Sequence, residues 1–410
     1  MQTTLVAKNT LYQVVARLAT AFIGFLITII IAGKFGAVGY GDFTKVTSYV
    51  ALFYLLVDMG FNAIFIQDEK VKFKDLLYFR IFISAVIFLL LNIIALFLPY
   101  SQVQNSGFSA SLRLGIMIFS IGIFAQGIII SSSAVFQKTL NYFNYMLGVV
   151  ISSVVNLLLI LLVVFLNFSI YFVLASFSVT SLLGAFMLLY LTKEKFFPAG
   201  FDKQYAKAIF RKSFPIGLML IFNLIYFRAD MFLLSIFSPA KDVGIYGLSY
   251  KFFDFLIALP LFLSNAIYPF LVSSKNLDKI FFGIVKKYFF VFLLTSFLIV
   301  IPFWFISPLF RLIKPDFIAA MIPFRILLIS LPFFFATSLL QWALIAREEQ
   351  KYLMYVYFFS TVINIFLNLI FIPQYSYIAC AVITVFSEGL VFVLLITKIA
   401  FNRILLEGGK

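Results

Sequence analysis

Apolar residues in this chain come in unbroken runs of about twenty, parted by short polar stretches, without the alternation of half-buried strands. At a rise of about 1.5 Å per residue, roughly 20 helical residues cross a hydrocarbon core of about 30 Å; a barrel strand would need only about ten, alternating. Twelve runs fit the helical pattern: 11–33, 44–66, 77–98, 112–135, 144–166, 169–191, 213–237, 245–272, 287–306, 321–345, 352–372 and 376–398. Only Asn167 and Phe168 part the fifth run from the sixth. The pattern predicts an all-α, polytopic membrane protein of about twelve transmembrane helices, in two parallel-repeat six-helix bundles around a central cleft.

Basic residues give this topology an orientation, because Lys and Arg gather in cytoplasmic loops. With the N-terminus inside, twenty of the 31 Lys and Arg fall in cytoplasmic segments, five in outer segments (Lys34, Lys45, Lys241, Arg311, Lys314) and six within spans. A missed or invented helix would move every later loop to the other side and scramble that ratio. Both termini are therefore expected in the cytoplasm. The longest connection, 192–212, is cytoplasmic, and its segment 202–212 sets Tyr205, Ile209 and Phe210 among Lys203, Lys207, Arg211 and Lys212. That reads as an interfacial amphipathic helix whose bases meet lipid headgroups. The expected organisation is residues 1–192 as one six-helix bundle, 193–212 as the linker and 213–410 as the second bundle.

Composition agrees and narrows the chemistry. The chain has 410 residues, 64% of them hydrophobic and 11% charged, with a mean hydropathy of +1.11. Cys380 is the only cysteine and there is no histidine, so neither a disulfide within the chain nor a Cys or His metal cluster is expected. No cofactor is anticipated. The net charge of +15 belongs to the loop bias, and no nucleic-acid partner is inferred from it. The first apolar run is longer than the h-region of a signal peptide and reads as a retained helix.

Faint internal similarity supports the division into two. "VGYG" at 38–41 precedes the second run and "VGIYG" at 243–247 precedes the eighth, with Gly41 and Gly247 206 residues apart. Asn156 and Asn364 stand 208 apart at equivalent depth in the fifth and eleventh runs. An even number of spans per half makes the repeat parallel, a transporter plan with its site in the cleft.

Charges inside apolar runs are the candidate functional residues, since one charge at the bilayer centre costs about 2.5–3.5 kcal/mol even on the mildest scale. The deep ones are Arg17, Asp58, Arg228, Asp230, Asp254 and Glu388; Arg80, Arg113, Lys251 and Arg325 lie nearer helix ends, where snorkelling accounts for them. Two readings stay open for the deep set. Arg17 and Arg228 line an aqueous, positively charged cavity, or they form buried ion pairs with Asp58, Asp230 or Asp254. Arg228 and Asp230 are two residues apart on a helix and cannot neutralise each other while facing one direction. Glu388 is either a proton or cation site or a group hydrogen-bonded to a neighbouring serine. Asn156, Asn364 and Asn368 read as interhelical glue, and Pro215, Pro260 and Pro269 as bends in spans seven and eight.

The opening "NTLYQVVARLATAFIGFLITIIIAGKFGAVGYGDF" with "LLVDMGFNAIFIQ", and the central "FPIGLMLIFNLIYFRADMFLLSIF" followed by a Gly-x-Tyr, resemble the polysaccharide-biosynthesis flippases. These belong to the multidrug/oligosaccharidyl-lipid/polysaccharide (MOP) exporter superfamily. The resemblance implies a non-enzymatic flippase for an undecaprenyl-diphosphate-linked oligosaccharide repeat unit, as in O-antigen or lipopolysaccharide synthesis, in a bacterial or archaeal inner membrane. Its partners would be the lipid-linked oligosaccharide, membrane lipids and, as a candidate, a polysaccharide polymerase complex; a monomer is favoured. Arg17, Arg228 and Lys251 would contact the diphosphate and glycan, and Asp58, Asp230, Asp254 and Glu388 would serve ion coupling or ion pairing. The alternative is a cation-coupled small-molecule or drug antiporter of the same superfamily. An enzyme is disfavoured because the outer loops are short and poor in acids.

Overall fold

The computed structural model describes residues 2–67, 72–194 and 226–408 and is almost wholly helical. The chain divides into two compact units, Met1–Arg228 and Ala229–Lys410. Most of the linker 193–212, including the amphipathic segment 202–212, and Pro215 lie outside the described residues.

The first unit holds α1 (Gln2–Asp58), α2 (Phe61–Gln67), α3 (Phe73–Leu96), α4 (Ala110–Ser120), α5 (Gly122–Lys138), α6 (Tyr142–Phe165) and α7 (Ile170–Thr192). α1 contains the first span and most of the second, broken only at Gly36, whose φ of 69° and ψ of −172° no helix accommodates. The outer loop expected at 34–43 is thus one turning residue, and glycine takes that left-handed φ at least cost. Lys45, counted above among outer residues, is 1% exposed inside α1 and donates to the Gly107 carbonyl at 3.0 Å. Gly107 closes a short hairpin of β1 (Tyr100–Ser101) and β2 (Ser106–Gly107), with Tyr100 opposite Gly107 and Ser101 opposite Ser106.

Spans one and five run the same way. Asn9 Oδ1 accepts from Tyr142 N at 3.3 Å near one end, and Lys34 donates to Asn167 at the other. Glycines bring α6 and α7 close: a Cβ on Gly148 would strike Leu188, and one on Gly184 would strike Ser152. Such small-residue crossings replace the hydrophobic drive that lipid does not supply.

The second unit holds a helix over 226–237 (α8, which begins within the first unit), α9 (Ala240–Ser273), α10 (Asp278–Ile306), α11 (Phe310–Ile313), α12 (Met321–Ala346) and α13 (Gln350–Gly408). α12 is its core. Leu327, Leu328, Leu331, Phe335 and Leu339 are all fully buried, as befits a helix that is apolar all round. α10 is the reverse, turning Leu294, Leu298, Ile301 and Phe305 outward on one stripe at 63, 65, 55 and 75% exposure. A continuous apolar stripe of that kind has lipid as its solvent. α9 stays helical through Pro260 and Pro269; the break in this unit comes instead at Ser376 (φ 49°) within α13.

Left-handed turn residues recur at a fixed spacing. Leu140 and Glu348 are 208 residues apart, and Asn167 and Ser376 are 209 apart. Those spacings equal, or differ by one residue from, the 208 that separates Asn156 from Asn364. Among the described residues, nine helical segments are long and apolar enough to cross a membrane, two of them interrupted at Gly36 and Ser376. The chain is a multi-pass, all-α membrane protein.

Charged residues join two turns and the later part of α13 at one end of the second unit. Lys275 pairs with Glu348 at 2.7 Å, Arg347 with Asp278 at 2.5 Å and Lys398 with Glu349 at 3.0 Å. The hydrogen bond from Lys275, aided by its charge, holds the Glu348 carboxyl below the usual carboxylate range. A depressed folded-state pKa stabilises above the ordinary Glu range and loses that contribution as pH falls through the lowered value. Both partners reach solvent, so the effect is small and screened by salt. Lys275→Gln is therefore expected to lower the melting temperature slightly at pH 7 and low salt, and to leave it unchanged at pH 3. A difference that persists in acid would show that Lys275 acts by another contact.

Candidate functional site

The second span breaks at Met59 (φ 41°) and Gly60 (φ 74°), between α1 and α2. A break in an apolar setting strands the last carbonyls of the preceding helix, which then need donors from elsewhere in the protein. Arg80 of α3 supplies the missing donors. Its Nε donates to Val57 O at 3.2 Å, Nη1 to Ser131 Oγ at 3.0 Å, and Nη2 to Asn62 Oδ1 at 2.9 Å and Asp58 O at 3.5 Å. The same Nη2 lies 3.5 Å from the Asp58 carboxylate, and the guanidinium sits over the Phe61 ring at 5.6 Å.

Arg80 is fully buried while the Asp58 side chain keeps 30% exposure. Snorkelling, expected for Arg80 from its place near a helix end, is therefore wrong. Its partners come from three other helices, which the linear distance to a span terminus does not reveal. Asp58 in turn pairs with Arg80 and not with Arg17. Gly127 of α5 makes room for the cluster, since a Cβ there would lie 2.6 Å from Ser84 Oγ and 3.5 Å from Arg80 Cγ. Gly127→Ala is expected to cost about 1–3 kcal/mol by overpacking, whereas Gly24→Ala, with nothing within 4 Å, should be neutral or slightly stabilising. Thermal unfolding of the two purified variants checks the contrast; equal melting temperatures would remove Gly127 from the cluster.

The remaining predicted residues scatter over both units. Arg17 is exposed on α1, on the stretch that packs along α6, and Tyr145 is within its electrostatic reach. Arg228 is half-buried on α8. Lys251 is exposed on α9 and Asp254, three residues on, is half-buried.

Asp230 is 5% exposed and held from two sides: Oδ1 accepts from Met231 N at 2.7 Å, and Oδ2 accepts from the fully buried Tyr246 hydroxyl at 2.5 Å. Cys380 of α13 reaches the Asp230 carbonyl at 3.8 Å. Tyr246 is a residue of this candidate site that sequence reasoning did not single out. It is the tyrosine of the Gly-x-Tyr motif, but nothing in the motif says which carboxylate it meets. Ser376, at the bend in α13, donates to Asp242 Oδ2 at 2.6 Å and shares a hydroxyl–hydroxyl contact of 3.0 Å with Ser238, tying the bend to the start of α9.

Glu388 is 2% exposed and accepts from Thr337 of α12 at 2.5 Å. The neighbouring serine expected as its partner, Ser387, receives the Asn364 amide instead, at 2.9 Å. Asn364 thereby joins the two limbs of α13 across the Ser376 bend, the interhelical glue foreseen for it, whereas Asn368 bonds Asn364 Oδ1 at 2.9 Å within the same limb and Asn156 Oδ1 has no partner. Among the described residues no group of three or more His, Cys, Asp or Glu could hold a metal ion.

The model of the family described as polysaccharide biosynthesis protein matches residues 6–275, and that described as MatE matches residues 215–370. Among curated proteins none matches the chain. Solved structures share the fold. A lipid II flippase MurJ in an inward closed conformation superposes with a TM-score of 0.74 at 17% identity, covering 97% of this chain and 89% of the other. An inward-facing multidrug resistance MATE family transporter of the MOP superfamily gives 0.63 at 13%, covering 98% and 96%. A MOP superfamily transporter from Pyrococcus furiosus, whose binding pocket has reverse polarity, gives 0.62 at 12%, covering 98% and 95%.

Proposed function

This chain belongs to the polysaccharide biosynthesis protein family, and we propose that it is a flippase that carries an undecaprenyl-diphosphate-linked oligosaccharide repeat unit across the inner membrane by alternating access. The observation that carries the reading is the family match over residues 6–275, which includes Arg17, Arg228 and Lys251, three bases set in apolar helices. A diphosphate is multiply anionic, and apolar walls alone would not admit it. Guanidinium groups offset its desolvation with charge-assisted, bidentate hydrogen bonds. Arg17 and Lys251 are exposed, so their charges are open to such a ligand. Asp58, paired with Arg80, then serves as a counterion within the scaffold, which leaves Asp230, Asp254 and Glu388 as the candidate coupling carboxylates. Twelve crossings in two sixfold repeats, with both termini cytoplasmic, complete the reading.

A second reading is favoured by the MatE match over residues 215–370: a cation-coupled exporter of small molecules. Proteoliposomes separate the two. The flippase reading expects purified protein to move a fluorescent polyprenyl-diphosphate-linked glycan between leaflets, and to leave a cationic dye unmoved under an imposed H⁺ or Na⁺ gradient. Gradient-driven dye export with a stationary lipid would overturn it in favour of the second.

A further inference from the structure

Between α5, α6 and α7 of the first unit lies a partly open cavity of about 200 Å³ whose lining, among the described residues, holds no charged side chain. Its polar wall is Ser152, Ser153 and Asn156 of α6 with Thr180 and Ser181 of α7; Val149 and Leu188 give it carbon surface. Three of the hydroxyls have their hydrogens committed to their own helices: Ser152 donates to Gly148 O at 2.7 Å, Ser153 to Val149 O at 2.8 Å and Thr180 to Ser176 O at 2.7 Å. What they offer the cavity is oxygen lone pairs.

Asn156 sharpens this. It is only 9% exposed, and its Oδ1 has no hydrogen-bond partner. The residue 208 positions on, Asn364, has its Oδ1 paired by Asn368. A buried amide oxygen left without a donor is a standing free-energy cost that a ligand hydroxyl would relieve. The site therefore calls for donors. With no acid or base in the wall, the donor must be neutral, because a charge would enter uncompensated. Size sets the rest: an apolar cavity of roughly 150 Å³ takes benzene, so this one has room for a six-membered ring bearing hydroxyls. Water alone would leave Val149 and Leu188 facing molecules they cannot bond.

We propose that this cavity binds a neutral polyhydroxyl group, of the size of one sugar ring or a glycerol moiety, through donation to Asn156 Oδ1. The inference stands apart from the flippase reading and survives its failure.

Two sources share this chemistry, a free or lipid-linked sugar and the glycerol of a lipid. The test uses the full chain in nanodiscs of phosphatidylcholine, whose headgroup has no hydroxyl, with tritiated methyl α-D-glucopyranoside and tritiated 1-monooleoylglycerol, which keeps two free hydroxyls, as probes. Saturable binding of at least one probe is expected, weakened about tenfold or more by Asn156→Leu and by the near-isosteric Thr180→Val, and unaffected by Lys275→Gln. Glucoside binding identifies a sugar site and monooleoylglycerol binding a lipid site. No saturable binding of either probe, or binding that persists in both variants, overturns the proposal.

Discussion

Arg80→Met is expected to destabilise the protein by about 3–5 kcal/mol, toward the lower figure, and to cut the yield of folded material sharply. The substitution keeps an unbranched apolar chain of similar reach. It removes the charge opposite Asp58 and the donors for Val57 O, Asn62 Oδ1 and Ser131 Oγ together. Removing one member of a buried pair costs more than the pair itself contributes, because the other charge stays behind in a poor solvent. The 30% exposure of Asp58 tempers the cost. The double variant Asp58→Asn/Arg80→Met should accordingly recover part of the loss, and a thermodynamic cycle over the four proteins measures the coupling. Additive losses with no recovery would mean that the two residues do not act as a pair.

Arg17→Gln is expected to do the opposite: leave folding intact and remove transport. Arg17 is exposed, so the fold loses little with its charge. A hydrogen bond to a charged group is worth about 1.5–3 kcal/mol, which puts the expected fall in flipping of a diphosphate-linked substrate at roughly 10–100-fold. Arg17→Lys should restore part of it, since a point charge replaces the fork but loses bidentate geometry. Rates in proteoliposomes, normalised to inserted protein, give the comparison. Wild-type flipping by Arg17→Gln would take this residue out of the substrate's path.

The contrast between these arginines marks the reach of sequence reading. Apolar runs and the distribution of bases made the membrane class and the helix positions legible, because lipid demands long, continuous, internally bonded helices. Boundaries failed where one residue does the work of a loop. At Gly36 the surrounding Lys34, Asp42 and Lys45 look like loop polarity, yet Lys45 is buried against Gly107. Position along the apolar runs set Arg17 deep and Arg80 near a helix end, and the structure reverses their burial. What separates them is the break at Met59 and Gly60 and the serine of a helix some fifty residues on, and both are matters of tertiary contact. The Gly-x-Tyr motif likewise marked Tyr246 without its partner Asp230, because a hydrogen bond between two helices depends on their rotation and depth. Glu388 found Thr337 and not its sequence neighbour for the same reason: adjacent residues on a helix point in different directions.

The bend at Gly36 also bears on how this protein can be handled. Two spans joined through a single residue present no slack chain at that surface, so a protease finds nothing to thread and an epitope inserted there would have to prise the helices apart. Among the described residues, the hairpin at 100–107 is the first stretch with backbone outside a helix long enough to carry a tag, and sidedness mapping should begin there.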